Sequence, residues 1–422
     1  MANRAPRAGW VVLAVLVTTL AGCVASTPGP ASGPGPRFAV SGPDAEAYGA
    51  REGYPIKFIY RPKFLVGGFS HYDELLESRV VRRAATPWRL ARAPAEPVLR
   101  YEHEGQTRTL DDYLARNPTT GLLIARGETI LVERYQYART ERDRFTSFSM
   151  AKTVTAMLIG IAIDEGRIRS VDDAAAAYVP ELAGTEYGGT SLRHLLQMSS
   201  GVRFTENYSG QDDVSRFFGE TVLQAGPGGA DAVKPYNERL RSSGSRFAYA
   251  SVETQVLGLA LRGAVGRPVA DYLSEKIWQP MGAEADATWI IDAAGQEATY
   301  CCLNAVLRDY ARFGLLLAHD GRRGDRPIIP AAWLHAATTV APEAWHLKPY
   351  TATRYFGYGY QTWIFPGEPR RFALRGVHGQ SIYVDPSSRL VMVHTAVRKG
   401  AADSNAETVT LWEGVVKALG RP

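Results

Sequence analysis

Cysteine is nearly absent: three occur in 422 residues, at positions 23, 301 and 302. No C-x-x-C and no Cys/His spacing of a zinc site can be drawn from them. Cys301 and Cys302 are adjacent, a spacing that seldom bridges, and read as two small packing residues. The eight histidines are scattered and form no H-E-x-x-H, which argues against a zinc hydrolase. G-x-S-x-G is missing too, and with it the nucleophile elbow of an α/β-hydrolase. Lysine is scarce, so the net charge of +5 comes from dispersed arginines. No basic run interleaved with aromatics exists, which excludes a nucleic-acid stripe. What is present is ordinary globular material, 45% hydrophobic and 22% charged, with no internal repeat of 20–50 residues.

The chain opens differently. Arg4 and Arg7 precede the apolar run "WVVLAVLVTTLAGC", too short for a comfortable membrane span. Leu20-Ala21-Gly22-Cys23 looks like a bacterial lipobox, so residues 1–23 read as a lipoprotein signal peptide with Cys23 as the lipidated residue. Residues 24–37, rich in Pro, Gly and Ser, read as a flexible tether. The expected protein is therefore exported and held on a membrane through its N-terminal lipid, periplasmic or at the cell surface.

From 38 to 422 the composition is that of a folded domain. "TGLLIARGETILVERYQY" predicts two strands about a Gly127-Glu128 turn. Helices are expected over 150–164, in "DDAAAAYVPEL", in "SLRHLLQMSSG" capped by Ser191, and in "SVETQVLGLALRGAVG", "VADYLSEKIWQPMG" and "LRDYARFGLLLAHDG". The C-terminal third alternates as strands and closes with the helix "ETVTLWEGVVKAL". Strands at both chain ends with helices between them predict an α+β fold: a sheet assembled from both termini, with a mostly helical segment of about 165–245 inserted.

One lysine is out of place. Ser149-Met150-Ala151-Lys152 is the only S-x-x-K, and it stands where the run "FTSFSMAKTVTAMLIGIAIDEG" begins. On a helix, the i+3 spacing returns Lys152 to the face of Ser149. Apolar surroundings disfavour the ammonium, so a neutral amine becomes accessible near pH 7. Such an amine can take the serine proton, and the helix N-terminus offers N–H groups to an oxyanion. A surface lysine at a helix start is the plainer explanation of so short a pattern.

The neighbouring motifs decide between them. "RFTSFSMAK", "LRHLLQMSSGV", "RFAYASVETQVLG", "LRDYARFGLLL" and "RGVHGQSIYVDP", in that order, resemble the serine β-lactamase and penicillin-binding-protein superfamily. Within its class C-like branch, these motifs and "GGFSHYDEL" are most similar to the 6-aminohexanoate-oligomer hydrolase and esterase group. The resemblance spans residue 64 to the C-terminus. It implies a β-lactamase-like fold, an antiparallel sheet flanked by helices.

It also implies a site. Ser149 would be the nucleophile and Lys152 the general base. Tyr249, in Tyr249-Ala250-Ser251, would relay protons to the leaving group. Ser251 replaces the family's asparagine and counts as a substrate-binding candidate. The third motif admits two alignments. Leu374-Arg375-Gly376 leaves the Val377 N–H as second oxyanion donor beside that of Ser149. Val377-His378-Gly379 shifts the donor to Gln380. The first is preferred because Gly376 lets the strand approach the acyl group. Neither supplies the cation that normally leads this motif. His378 is a further substrate-binding candidate. So is Tyr208 in "SSGVRFTENYSGQDDV", which falls where the oligoamide hydrolases carry a tyrosine on a lid. The resemblance implies no metal or organic cofactor and a small ester or linear amide as substrate. A D-Ala-D-Ala carboxypeptidase and a non-catalytic binding protein on the same scaffold remain alternatives.

Overall fold

Apolar residues fill "TTGLLIAR" and its C-terminal partner "LVMVHTA" almost without a break, the pattern of strands covered on both faces. The computed structural model describes residues 35–38, 42, 43, 45, 60–400 and 406–420, so the leader and Cys23 lie outside the described residues. Thr119–Arg126 and Thr129–Tyr135 form the expected hairpin about Gly127. Leu390–Ala396 pairs antiparallel with Thr119–Arg126, then Gln380–Asp385, Phe372–Gly376, Trp363–Ile364 and Gly357–Tyr358 follow in order. The short strands Arg37–Phe38 and Ala91–Arg92 add to Thr129–Tyr135 in parallel. This nine-stranded sheet joins segments from both ends of the chain.

Side chains on a strand alternate between faces, and here the two faces enter different cores. Leu123 and Ala125 join the large cluster around the helices Ala151–Asp164 and Leu307–Ala318. Leu122 and Ile124 join a second cluster with Leu411, Trp412 and Val415 of the closing helix Ala406–Leu419. Each face of the sheet is therefore sealed by helix. A smaller antiparallel sheet, ordered Ser78–Val81, Ala287–Ile290, Leu303–Val306, Arg144–Thr146, leads directly into the Ser149 turn.

The Ala151–Asp164 helix is apolar on every side, and all residues from Ala151 to Ala162 are buried. Such a helix belongs at the centre of a domain. Ser251–Val265 packs beside it and stops at Gly266, whose φ of +68° is the left-handed end that glycine adopts freely.

Two expected helices differ. "DDAAAAYVPEL" forms only the 3₁₀ turns Ala175–Ala177 and Pro180–Leu182, because Pro180 removes an N–H after too few residues for a helix to propagate. "VADYLSEKIWQPMG" begins as the α-helix Val269–Leu273 and widens into a π turn over Ser274–Trp278. Between 165 and 245 the α-helices are Leu192–Leu196 and Asp213–Thr221, joined by turns and loops. Ser191 caps the first by accepting from the His194 N–H. Among the described residues no helix is long and apolar enough to cross a membrane.

Candidate active site

Ser147 is fixed on both sides before the candidate nucleophile is reached. Its N–H donates to Leu303 O at 2.7 Å and its hydroxyl accepts from the Leu303 N–H at 3.0 Å. Phe148 follows with φ +41°, a left-handed conformation that a bulky residue rarely adopts. Its ring is held edge-on to Phe69, centroids 4.9 Å apart, and lies 5.3 Å from the His378 ring. Strain of this kind persists where packing over-determines it. The turn presents Ser149, half-buried, at the mouth of a cavity and leads straight into the buried helix.

Lys152 lies one turn in, 1% exposed. Its Nζ donates to Ser251 Oγ and to the Tyr300 carbonyl, both at 2.9 Å. Burial drives its pKa down from 10.5 to about 8, and the Glu206 carboxylate holds it from falling further. The i+3 spacing had suggested a direct contact with Ser149. Instead the amine's described hydrogen bonds run to Ser251 and Tyr300. Tyr249 lies near enough to Ser149 for the serine hydroxyl to favour its phenolate slightly. The lysine Nζ lies 5.2 Å from the centroids of both the Tyr249 and Tyr300 rings. Tyr249 itself stacks on Trp363, centroids 5.4 Å apart. Burial, then the charge of Glu206, push its pKa far above the usual phenol value.

Glu206 is the residue that sequence reasoning missed. It accepts from the Ser251 N–H at 2.6 Å, the Ser251 hydroxyl at 2.9 Å and the Tyr208 hydroxyl at 2.7 Å. Tyr208, Glu206, Ser251 and Lys152 thus form one chain of hydrogen bonds. Ser251, proposed for substrate contact, has its hydroxyl engaged between an amine and a carboxylate. Burial raises the Glu206 pKa and the lysine beside it opposes the rise. A loop glutamate with no periodic relation to the motifs gave no sequence signal.

The strand Phe372–Gly376 closes the opposite wall. A Cβ on Gly376 would stand 2.6 Å from Ser147 O and 3.1 Å from Ser149 N, so only glycine allows this approach. A Cβ on Gly379 would instead meet Ala396 and Arg398, away from Ser149. The geometry accordingly favours the Leu374-Arg375-Gly376 alignment, with Val377 next in line and lining the cavity. Arg375 places its guanidinium over Phe356 and Trp363, at 4.6 and 5.4 Å from the ring centroids. His378, at φ +60°, also lines the cavity, and its Nδ1 donates to Arg398 O at 2.7 Å.

The cavity is ≈ 520 Å³, a size that suits a small molecule. Its lining is largely apolar, with Tyr60, Val214, Phe218 and Leu223 around Ser149, Glu206 and Tyr208. A larger hollow of ≈ 850 Å³ lies elsewhere, bordered by Pro180, Arg262 and Arg267, and has no serine, threonine or cysteine in its walls. Cys301 borders the site cavity as well. Contrary to the reading of two separate packing residues, it is disulfide-bonded to Cys302. Among the described residues no group of three or more His, Cys, Asp or Glu is arranged to hold a metal ion.

The likeness to known proteins agrees with this geometry. The Beta-lactamase family model matches residues 107–414. A 6-aminohexanoate-dimer hydrolase from Paenarthrobacter ureafaciens is 28% identical over 336 residues, 77% of this chain and 83% of the relative. A candidate 6-aminohexanoate-dimer hydrolase from Bacillus anthracis, 24% identical, superposes with a TM-score of 0.76 over 86% of this chain and 97% of its own. A family VIII carboxylesterase shares the fold with a TM-score of 0.56 at 17% identity, covering 72% of this chain and 94% of its own. With its S-x-x-K serine on the turn that opens a buried helix and its glycine strand across that turn, the chain belongs to the Beta-lactamase family and is a hydrolase of the serine type.

Proposed function

We propose that the protein cleaves small carboxylic esters or linear amides through a Ser149 acyl-enzyme. The observation that carries this reading is a fully buried amine one turn after a cavity-lining serine, 5.2 Å from the ring of Tyr249; burial lowers the amine's pKa to about 8 and raises that of the phenol. At neutral pH about a tenth of Lys152 is neutral and able to act as a base. Tyr249 keeps its proton and can give it to a leaving alkoxide or amine. Ser149 attacks the carbonyl carbon, and its proton passes to Lys152. The oxyanion is held by the N–H groups of Ser149 and Val377. Tyr249 then protonates the leaving group, and water repeats the sequence on the acyl-enzyme in reverse. Tyr208 stands over the cavity where it can meet the nitrogen of an amide, while His378 and the aromatic wall contact the acyl chain.

The Paenarthrobacter relative, named for an amide dimer, and the carboxylesterase fold support this substrate range. So does the lack of a leading cation in the third motif, which disfavours a penicillin carboxylate. The same reading places the enzyme outside the cytoplasm as a lipoprotein anchored through Cys23. A disulfide persists in such oxidising surroundings, and Cys301–Cys302 is in keeping with it.

The test is one parallel screen of the protein against p-nitrophenyl esters, linear amides and nitrocefin, with fluorophosphonate labelling of Ser149. Ester or amide turnover with labelling is expected. Covalent capture by fluorescent penicillin without ester turnover would assign a carboxypeptidase instead, and no labelling at all would mean a non-catalytic protein.

A further inference from the structure

The bond between Cys301 and Cys302 closes a ring on adjacent residues in the wall of the site. The segment carrying it touches the Ser149 turn and its helix at three levels. Thr299 O accepts from Thr155 Oγ1 at 2.9 Å, Tyr300 O accepts from Lys152 Nζ at 2.9 Å, and Leu303 exchanges two hydrogen bonds with Ser147. The disulfide sits between the second and third of these contacts. Cys302 has φ +67°, a left-handed conformation that side-chain-bearing residues disfavour. Cys301 O accepts from Trp289 Nε1 at 2.9 Å, so the turn is also tied to the smaller sheet.

We propose that the Cys301–Cys302 disulfide is a positioning element for the general base: its ring holds the left-handed turn that aims the Tyr300 carbonyl at Lys152 and keeps the amine out of water. The proposal rests on the reading of Lys152 as that base. It makes the enzyme sensitive to dithiols of a size that enters the cavity. One thiolate of the dithiol attacks Cys301 Sγ, the sulfur–sulfur bond breaks, and Cys302 leaves as a thiolate that takes up a proton. The second thiol of the reagent then displaces Cys301, which is protonated in turn. The protein gains two electrons and two protons, and the reagent leaves as its cyclic disulfide.

Freed of the ring, Cys302 can leave its left-handed conformation and the Tyr300 carbonyl can turn away. Water then reaches the amine, whose low pKa comes first from burial. The other groups facing Lys152 are Glu206 from the loop, Ser251 and Tyr249 at the head of the adjoining helix, and the Tyr300 ring. Arg375 reaches it only through Tyr249. None of these is altered chemically by reduction, so a change in the lysine reports on the turn.

The experiment measures kcat/KM against pH for the full-length protein, oxidised and after dithiothreitol, with free thiols counted and far-UV circular dichroism recorded. Reduction is expected to move the acid limb of the profile upward from about 8. A shift of one pH unit would lower the rate about tenfold at pH 7 and little at pH 10. Reoxidation should restore the original profile, and KM should change less than kcat. The double variant Cys301→Ser, Cys302→Ser, which retains Cys23, should show the shifted limb with no response to dithiothreitol. An unchanged profile in protein shown to be reduced would overturn the proposal. A uniform loss at every pH with the limb in place would also overturn it, since that is the signature of general loosening. If the oxidised protein neither turns over esters or amides nor reacts with fluorophosphonate, the catalytic reading itself has failed and this proposal falls with it.

Discussion

Lys152 is costly to the fold, and the proposed chemistry needs it. Lowering a lysine from 10.5 to about 8 by burial disfavours the folded state by on the order of 3 kcal/mol while the amine is protonated in the unfolded chain. The unfolded state then binds the proton more tightly, so the penalty is complete below about pH 8 and fades as pH rises toward 10.5. In the proposed mechanism activity follows the neutral amine. It is expected to rise about tenfold per pH unit below 8 and to level off above it, checked by a pH profile of kcat/KM on an ester. Glu206 raises the lysine pKa, so Glu206→Gln should move that acid limb to lower pH, with some loss of rate from the disturbed Ser251 contact. Ser149→Ala and Lys152→Ala should each remove nearly all turnover, because members of one catalytic unit are not additive. Retention of more than about a tenth of kcat by Ser149→Ala would contradict the mechanism. Ser149, Lys152 and Tyr249 stood out as candidates in the sequence because the first two share one motif of fixed spacing and the third falls in a motif of fixed order. Glu206 and the disulfide were not. The first is fixed only by where a loop crosses the cleft, and the second by a backbone turn that no spacing reveals.

At the scale of elements, the close approach of Phe372–Gly376 to the Ser149 turn makes a sharp prediction. Gly376→Ala puts a methyl group 2.6 Å from a backbone oxygen, and backbone on both sides must shift. A misplacement of about 1 Å at a reacting centre can cost a hundredfold in rate. Gly376→Ala should therefore keep a cooperative unfolding transition and lose kcat on that order, measured by thermal denaturation beside ester kinetics. The loop carrying Tyr208 predicts a difference between substrates. An amide leaves as a poor amine unless its nitrogen is held, so Tyr208→Phe should cost amides the equivalent of about 1–3 kcal/mol and esters little. Paired substrates with one acyl group would show this, and equal losses on both would remove Tyr208 from the mechanism. The Ala151–Asp164 helix was readable because burial all round leaves an apolar run too long for a strand. The alanine run before Tyr178 misled because helix propensity is weak against a nearby proline and a loop that must turn.

Across the whole molecule, the site is a seam between segments distant in sequence: the Ser149 turn, the Ser251 helix, the Tyr300 turn and the Gly376 strand. This arrangement suits acyl transfer in general, and substrate range is set at the edges. The arginine of the third motif is spent on Phe356 and Trp363 rather than leading the motif, so nitrocefin turnover should be slow or absent. A kcat/KM approaching the diffusional ceiling, on the order of 10⁸ M⁻¹s⁻¹, would refute the ester and amide assignment. The overall order of strands and helices was visible in the sequence because their patterns are local. Which edge strand adds in parallel was not, since that depends on pairings between remote segments.

The pairing of Leu390–Ala396 with Thr119–Arg126 bears on how the protein is made. During synthesis the first hairpin emerges long before the strand that must lie beside it, and its apolar faces wait uncovered. The sheet can close only when the last strands have left the ribosome. A chain that cannot fold early stays threadable, the state that the proposed export through a translocation channel would require. Nascent chains stopped before Leu390 should accordingly remain protease-sensitive, and chains extended past Leu419 should become resistant.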